Sequence, residues 1–269
     1  MRQLCEKLLM PVEATRAILE ADRAIDPNLD LTALTREERW AEGRKALKEW
    51  LGEDPEGFKE LCCMLRCALA AKGTLDALGF GEEIYYDTMA CFTRFVNEHM
   101  ESYGRYGFDR GFWTVRQVSC KLLRIGSLEY ELIEQEGKPV ISLHIPSDAD
   151  LSREALRSSY LAARDALGRA FPAYRDAPMY CHSWLLSPTL AQLLPEGSRI
   201  LAFQRSFAVT PLEKPNQEFR KWVFKTPDLP MEQYPEHTSL QRALKRFLLN
   251  GGTLVDGKGY LVEEPFVNV

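Results

Sequence analysis

Apolar residues in the first hundred positions recur every three or four residues, which is the spacing of a helix with one buried face. Several of these stretches open with residues that favour a helix start, namely Pro11, the capping-box pair Thr35 and Glu38, and the dipeptide Asp54-Pro55. The pattern therefore predicts a helical N-terminal domain over residues 1–105.

The glycine-rich sequence YGRYGFDRG at residues 103–111 breaks the helical period, so the domain boundary is expected there. One more helix is expected over residues 113–121. Apolar and β-branched residues then predict a long strand over residues 122–134, with a bulge at Gly126, and a turn at Glu136-Gly137. Residues 106–269 are expected to form a second domain around a mixed sheet.

The centre of that domain is a strand over residues 138–145. Pro146 ends it, because proline has no N–H for a strand ladder and restricts the residue before it. Apolar residues at helical spacing follow, with Ser152 as the N-cap and Phe171 near the end. The segment therefore predicts a strand, a turn and a helix.

The remaining residues alternate between strand and helix signals. They predict strands over residues 179–186, 200–207 and 219–224, a short helix from Pro188, a helix N-capped by Thr238, and a hairpin around Asp256-Gly257-Lys258-Gly259. The resulting β-α-β-α-β order predicts a ligand crevice at the carboxyl ends of the strands.

Composition and charge exclude several classes of function. The chain has 269 residues, of which 45% are hydrophobic, and a net charge of −5, so it can bury a core and has no basic nucleic-acid surface. No apolar run reaches membrane-helix length, and the N-terminus does not fit a signal peptide, so no membrane association and a cytoplasmic location are expected. The seven cysteines fit reduced thiols, and no metal site is expected because Cys62, Cys63 and Cys67 have no second ligand pair.

Five strings carry a resemblance over nearly the whole chain: RIGSLEYEL, LHIPSDADLS, CHSWLLSP, ILAFQRSF and PEHTSLQRAL. Together with the helical N-terminal part, they resemble uncharacterised bacterial acyltransferase-domain proteins, in which an N-acyltransferase N-terminal domain precedes a GNAT-like C-terminal domain. The resemblance implies an α+β or α/β fold, a mixed β-sheet flanked by helices, and an acyl-CoA co-substrate.

In that family the cofactor turn follows the central strand, so the resemblance assigns cofactor binding to the turn and the helix start after His144: Ile145, Ser147, Asp148, Ser152 and Arg153. Arg205, on the predicted third strand, is a further candidate for a phosphate. The turn departs from the family pattern, since Ser147-Asp148-Ala149-Asp150 has two acids and no glycine. Carboxylates at a helix N-terminus satisfy its dipole themselves and repel phosphate.

His144 is the first candidate for catalysis, because a histidine at the end of the central strand can accept a proton from an amine or a hydroxyl nucleophile. The alternative is a structural histidine that stabilises the turn at Asp148. On the next strand, Tyr180, Cys181 and Ser183 are further candidates, with Cys181 and Ser183 on one face and Tyr180 and His182 on the other. Two small residues packed in the sheet are the alternative there.

Three functions remain open from the sequence. The first is acyl transfer to a small amine or hydroxyl acceptor, with His144 as base and the Tyr180 to Ser183 strand at the site. The second is a non-catalytic ligand-binding or assembly module on a degenerate GNAT fold, which the acidic turn favours. The third is a Cys/His hydrolase that uses Cys181, although no nucleophile elbow is present. The expected partner is a small-molecule substrate, and a homodimer is compatible with the sequence.

Overall fold

The computed structural model describes residues 1–225 and 229–262. The chain forms two compact units, of which the first is Met1–Arg124 and the second begins at Ile125. The glycine-rich segment at residues 103–111 therefore lies inside the first unit, and so does the helix that follows it. Each unit has its own buried residues.

The first unit is helical, as predicted. Its α-helices are α1 (Arg2–Lys7), α2 (Val12–Ala24), α3 (Trp40–Leu51), α4 (Phe58–Ala77), α5 (Glu82–Met89), α6 (Cys91–Tyr103) and α7 (Gly111–Val118). The central helix is α4, which packs against α2, α3, α5 and α7. Its buried side chains include Leu61, Met64, Leu65 and three cysteines. The cysteines there act as small apolar residues, which fits their free thiols.

The chain also forms a mixed six-stranded sheet, as predicted, and five of its strands lie wholly in the second unit. Its strands are β1 (Leu122–Ile125), β2 (Leu128–Gln135), β3 (Lys138–His144), β4 (Met179–Ser183), β5 (Phe207–Pro215) and β6 (Val255–Leu261), in the spatial order β1-β2-β3-β4-β6-β5. Strands β3 and β4 are parallel, whereas β2/β3, β4/β6 and β5/β6 are antiparallel. Gly126 does not form the predicted bulge, because it has a φ of 65° in a turn that separates β1 from β2.

Helix α8 (Arg153–Ala170) connects the parallel strands β3 and β4. Ser152 is its N-cap, and its Oγ accepts a hydrogen bond from Ala155 N at 3.3 Å. The apolar positions of the predicted pattern are the buried ones, including Leu156, Tyr160 and Leu167. The strand–turn–helix prediction is confirmed, and it fixes the start of α8 just beyond the carboxyl end of β3.

Ser159 joins α8 to the sheet through a buried polar cluster. Its Oγ lies 2.7 Å from the Tyr130 hydroxyl, accepts a hydrogen bond from Leu128 N at 3.4 Å, and donates to Ile125 O. Ser159→Ala should lower the free energy of unfolding by about 1–3 kcal/mol, since buried partners lose their hydrogen bond. Denaturant unfolding of this variant and of Ser158→Ala, an exposed serine on the same helix, tests this. Equal stability of the two variants would contradict it.

Four further α-helices pack together in the second unit: α9 (Leu190–Leu193), α10 (Arg199–Arg205), α11 (Phe219–Phe224) and α12 (Ser239–Leu249). Their shared core contains Leu190, Leu201, Phe219, Phe224, Leu244 and Leu248, among others. The predicted start of α12 is confirmed, because Thr238 and Gln241 form a full capping box. The short helix predicted after Pro188 is confirmed as α9.

The strand predicted over residues 200–207 is wrong, because Arg199–Arg205 form α10 and β5 begins only at Phe207. Arg205 is therefore the last residue of a helix instead of a strand residue. A short apolar run does not distinguish a buried strand from a buried helix. Tertiary contacts decide the outcome here: Gln204 Nε2 donates to Leu185 O and Ser187 O, both at 2.8 Å, and anchors α10 beneath the loop after β4.

The strand predicted over residues 219–224 is also wrong, because these residues form α11. Its buried residues Phe219, Val223 and Phe224 are spaced as on one helical face. The predicted hairpin around Gly257 is the third correction. Residues Val255–Leu261 run straight through as β6, between β4 and β5.

Candidate functional site

The parallel strands β3 and β4 stop pairing at their carboxyl ends. Their last matched pair is Leu143 with Cys181. The next residue on each strand is a histidine, His144 on β3 and His182 on β4. Because side chains alternate along a strand, both histidines belong to the sheet face opposite Leu143 and Cys181. The sequence predicts His144 near this edge, and the β3–β4 register shows that His182 is level with it.

His144 is bound to a carboxylate of the neighbouring strand. Its Nε2 lies 2.8 Å from Glu131 Oε2, and the two side chains are 23% and 13% exposed. Glu131 is opposite Ser142 in the β2–β3 register, so it reaches His144 along the diagonal of the same face. A carboxylate at this position fixes the orientation of the imidazole. The sequence alternative, a structural histidine that stabilises the turn at Asp148, does not predict Glu131 as a partner.

His182 is bound to a second carboxylate, on β6. Its Nε2 lies 3.3 Å from Asp256 Oδ2, and the side chain of His182 is 49% exposed, against 10% for Asp256. Asn216 Nδ2 donates to the same Oδ2 at 2.7 Å. The other carboxylate oxygen, Oδ1, is buried and has no hydrogen-bond partner in the part of the chain that the structure describes.

Sequence reasoning missed this second pair. The strand alternation predicts only the face on which His182 lies, and the sequence around Asp256 predicts a turn. The alternation of residues 180–183 contained a signal for His182, because it places a histidine level with His144. No local signal points to Asp256, since its proximity depends on the β4–β6 pairing of His182 with Lys258.

Tyr180 lies on the same face as the two histidines, two residues before His182 on β4. Its ring is 5.3 Å from that of Tyr260, centroid to centroid, and burial raises its hydroxyl pKa. The Tyr260 hydroxyl donates to Gln135 Oε1 at 3.0 Å. The two tyrosines therefore give this face an aromatic surface next to the polar strand ends.

Cys181 and Ser183 lie on the opposite face, as the alternation predicted. Cys181 is fully buried, and burial raises the pKa of its thiol, so the reactive thiolate is disfavoured. Ser183 Oγ accepts a hydrogen bond from Leu185 N at 3.1 Å and caps the turn after β4. The alternation separates Cys181 from both histidines, so the arrangement gives no support to a Cys/His hydrolase.

The acidic turn between β3 and α8 is held by its own hydrogen bonds. Ala149 N donates to Pro146 O at 3.0 Å. Asp150 accepts from Ser152 N and from Ser152 Oγ, both at 2.9 Å. The backbone N–H of Ser152 is the main reason why the pKa of Asp150 lies below its ordinary value.

A guanidinium also reaches this turn. Arg199 Nη1, at the start of α10, lies 3.2 Å from Asp150 Oδ1. Arg205, the arginine that the sequence singled out, lies at the other end of α10. Arg153 is exposed at the first position of α8, and Ile145 and Ser147 lie in the connection from β3. Arg199 is therefore the cation that sequence reasoning missed, and nothing local to its position predicts the contact.

The chain matches two family descriptions, one after the other. Residues 1–120 match the N-acyltransferase N-terminal domain, and residues 122–261 match the GNAT-like C-terminal domain. The chain belongs to the GNAT-like C-terminal domain family. No curated protein matches the sequence.

Solved structures show the same fold along almost the whole chain. One is an acyltransferase in complex with decanoyl-CoA and teicoplanin, with a TM-score of 0.79 and 24% identity, covering 97% of this chain and 87% of that chain. Another is an acyltransferase in complex with CoA and 10C-teicoplanin, with a TM-score of 0.78, the same identity and the same coverage. The family match confirms the predicted fold class and the assignment as a GNAT-like acyltransferase.

Within residues 1–225 and 229–262, no group of three or more His, Cys, Asp or Glu side chains can hold a metal ion. Over the same ranges, no helix has the length and apolar character needed to cross a bilayer.

Proposed function

We propose that this protein transfers an acyl group from acyl-CoA to a small amine or hydroxyl acceptor, with His144 as the general base. The observation that carries the proposal is the His144–Glu131 pair at the carboxyl end of β3, directly before the turn that leads to α8. The strand ends of an α/β sheet are where ligands bind in such folds. Family membership supports the reaction class.

The roles follow from the chemistry of acyl transfer. An amine acceptor must lose a proton as its nitrogen attacks the thioester carbonyl, and the imidazole of His144 takes that proton. The Glu131 carboxylate, 2.8 Å from His144 Nε2, stabilises the positive charge that the ring gains in this step. The C–N bond forms, the C–S bond breaks, and CoA leaves as the thiol.

Acyl-CoA is proposed to bind with its pyrophosphate at the start of α8. The first-turn N–H groups of a helix have no intrahelical partners and attract anions. Ser152, Arg153 and Arg199 surround this helix start. Arg199 already holds an anionic group there, since it binds the Asp150 carboxylate. The similar structures that contain decanoyl-CoA or CoA support a CoA thioester as donor.

Removing the cation should weaken cofactor binding. Arg199→Ala is expected to raise the Kd for CoA about tenfold or more, because it deletes a charge-assisted hydrogen bond and leaves Asp150 to repel the phosphates. Asp150→Asn should lower the Kd for the same electrostatic reason. Calorimetric titration measures both. Arg169→Ala is the matched control, since Arg169 is an exposed arginine at the far end of α8. An unchanged Kd in Arg199→Ala would contradict this placement.

The reaction itself is tested by mass spectrometry of purified protein incubated with CoA thioesters of graded chain length and a panel of small amines and alcohols. Enzyme-dependent formation of an amide or ester, with one CoA released for each acyl group transferred, is the expected result. Tight CoA binding without any acyl transfer would remove the catalytic proposal.

A non-catalytic ligand-binding module is the second candidate, and one observation favours it. Asp150 occupies the start of α8 with three hydrogen bonds, two from Ser152 and one from Arg199. In that case the wild-type protein should show no rise in melting temperature with CoA, and Asp148→Gly combined with Asp150→Gly should create or strengthen CoA binding. Micromolar CoA binding by the wild type would exclude a module in which the acidic turn has abolished the CoA site.

The acceptor is proposed to be a small molecule, which the teicoplanin in a similar structure supports. All seven cysteines are free and buried, which supports the expected reducing, cytoplasmic environment. The homodimer stays a prediction that sedimentation analysis can test.

A further inference from the structure

We propose that His182 is a second catalytic residue, which delivers a proton to the sulfur of the departing CoA, and that Asp256 is its positioning residue. This inference rests on the proposed acyl transfer. It adds a general acid on β4 to the general base on β3.

The first argument is position. His144 and His182 each follow the last matched pair of the parallel strands, so they stand level with one another on the same face. Neighbouring strands lie about 4.8 Å apart where they are paired, and β3 and β4 stop pairing here. A thioester carbonyl placed between the strand ends has one histidine on each side. Its attacking nitrogen and its leaving sulfur are also on different sides of the carbonyl carbon.

The second argument is the environment of His182. Asp256 is 7% exposed as a residue, and its carboxylate lies 3.3 Å from His182 Nε2. Oδ2 accepts a hydrogen bond from Asn216, but Oδ1 has no partner among the described residues. The contact therefore fixes the orientation of the His182 imidazole, which is 49% exposed at the end of β4 and can give a proton to a ligand there.

Other charged and titratable groups face His182 from each neighbouring strand. Lys258 is directly opposite on β6, His144 follows β3 with Glu131 behind it, and Tyr180 and Tyr260 lie one row back. The side chain of Lys258 is exposed to solvent, whereas Asp256 is buried and in direct contact with His182.

The two histidines account for both proton transfers of the reaction. The amine nitrogen forms its bond to the carbonyl carbon and gives a proton to His144. The C–S bond breaks with its electron pair on sulfur, and His182 gives a proton to that sulfur. His144 ends protonated and His182 ends neutral, and exchange with water restores both. No oxidant, metal or further reactant is required.

The test varies the leaving group. His182→Gln should lower kcat/KM for an acyl-CoA by about 10² or more, because a general acid is lost. With the arylthiol thioester of the same acyl group, the loss should be less than about threefold, since an acidic thiol departs without a proton. His144→Ala is the matched control, and it should lose activity with both donors because the acceptor still needs a base.

Asp256→Asn tests the positioning role. It should lower kcat with little change in KM, since the imidazole loses the carboxylate that fixes its orientation while the substrate contacts remain. His182→Gln should remove the alkaline fall that a general acid gives to the pH–rate profile. Melting temperatures of both variants show whether the fold is intact, and Asn216→Ala provides a second variant that disturbs Asp256 without altering its charge.

Equal losses with both donors in a folded His182→Gln protein, or an unchanged alkaline limb in that variant, would overturn the role of His182. Failure of the proposed function gives a different result, because the wild-type protein would then transfer no acyl group from either donor.

Discussion

Replacing His144 by alanine is expected to lower kcat by about 10²–10⁴, the range for loss of a general base. The Kd for acyl-CoA should stay within about twofold, because a base acts on the acceptor in the transition state and not on the bound cofactor. Rapid-quench or steady-state rates with a fixed amine, together with calorimetric titration of CoA, separate these two quantities.

Two variants make this result specific. Glu131→Gln keeps the shape of the His144 partner but removes its charge, so it should lower kcat by a smaller factor and leave CoA binding unchanged. His237→Ala removes an exposed histidine in the loop before α12 and should have no effect. Full activity of a folded His144→Ala protein would remove His144 from the mechanism. An equal loss of CoA affinity would assign it to binding instead.

The elements that the sequence predicted well have local signals that agree with their tertiary packing. Residues 138–144 are a run of mostly buried, β-forming residues that ends just before a proline. Thr238 begins α12 with a capping box, which depends only on residues next to it in the sequence. Segments 199–205 and 219–224 are short, apolar and uncapped by side chains. For such segments the choice between strand and helix depends on distant residues that the local pattern does not contain.

The candidate site also has one part that local sequence signals predict and another part that they do not. The position of His144 follows from a local rule, namely the end of a buried strand before a helix. The carboxylates that give the histidines their chemistry come from β2 and β6, through the pairings of Glu131 with Ser142 and of His182 with Lys258. Register is a property of paired strands, so one strand alone does not reveal it. Arg199 reaches Asp150 across 49 residues of sequence for the same reason.

The sequence Asp256-Gly257-Lys258-Gly259 shows how a local rule fails. Glycines with aspartate usually mark a turn, yet here they lie within β6, where other backbone approaches closely. A Cβ atom on Gly257 would lie 2.2 Å from Leu186 O, and one on Gly259 would lie 2.4 Å from Ala208 O. Close approach of backbone is the second common reason for glycine in a strand, and the pattern alone does not separate the two reasons.

Gly257→Ala should therefore be strongly destabilising. Its new methyl group meets a carbonyl oxygen of the backbone, which has no flexible side chain to move aside. Overpacking usually costs about 1–3 kcal/mol, and we expect the upper end of that range or more. For a unit of this size, about 3 kcal/mol corresponds to a fall in Tm of roughly 6–12 °C. Differential scanning calorimetry measures it directly.

Gly197→Ala is the matched control, because a Cβ atom there meets nothing within 4 Å and Gly197 has no left-handed backbone. It should leave Tm unchanged within about 2 °C, as for most surface substitutions. Equal Tm values for the two variants would show that Leu186 yields to the methyl group. If Gly257→Ala does fold, its activity should fall further than its stability alone explains. The adjacent residue, Asp256, lies on the same strand and sets the position of His182, so a displaced β6 would move the carboxylate away from the imidazole.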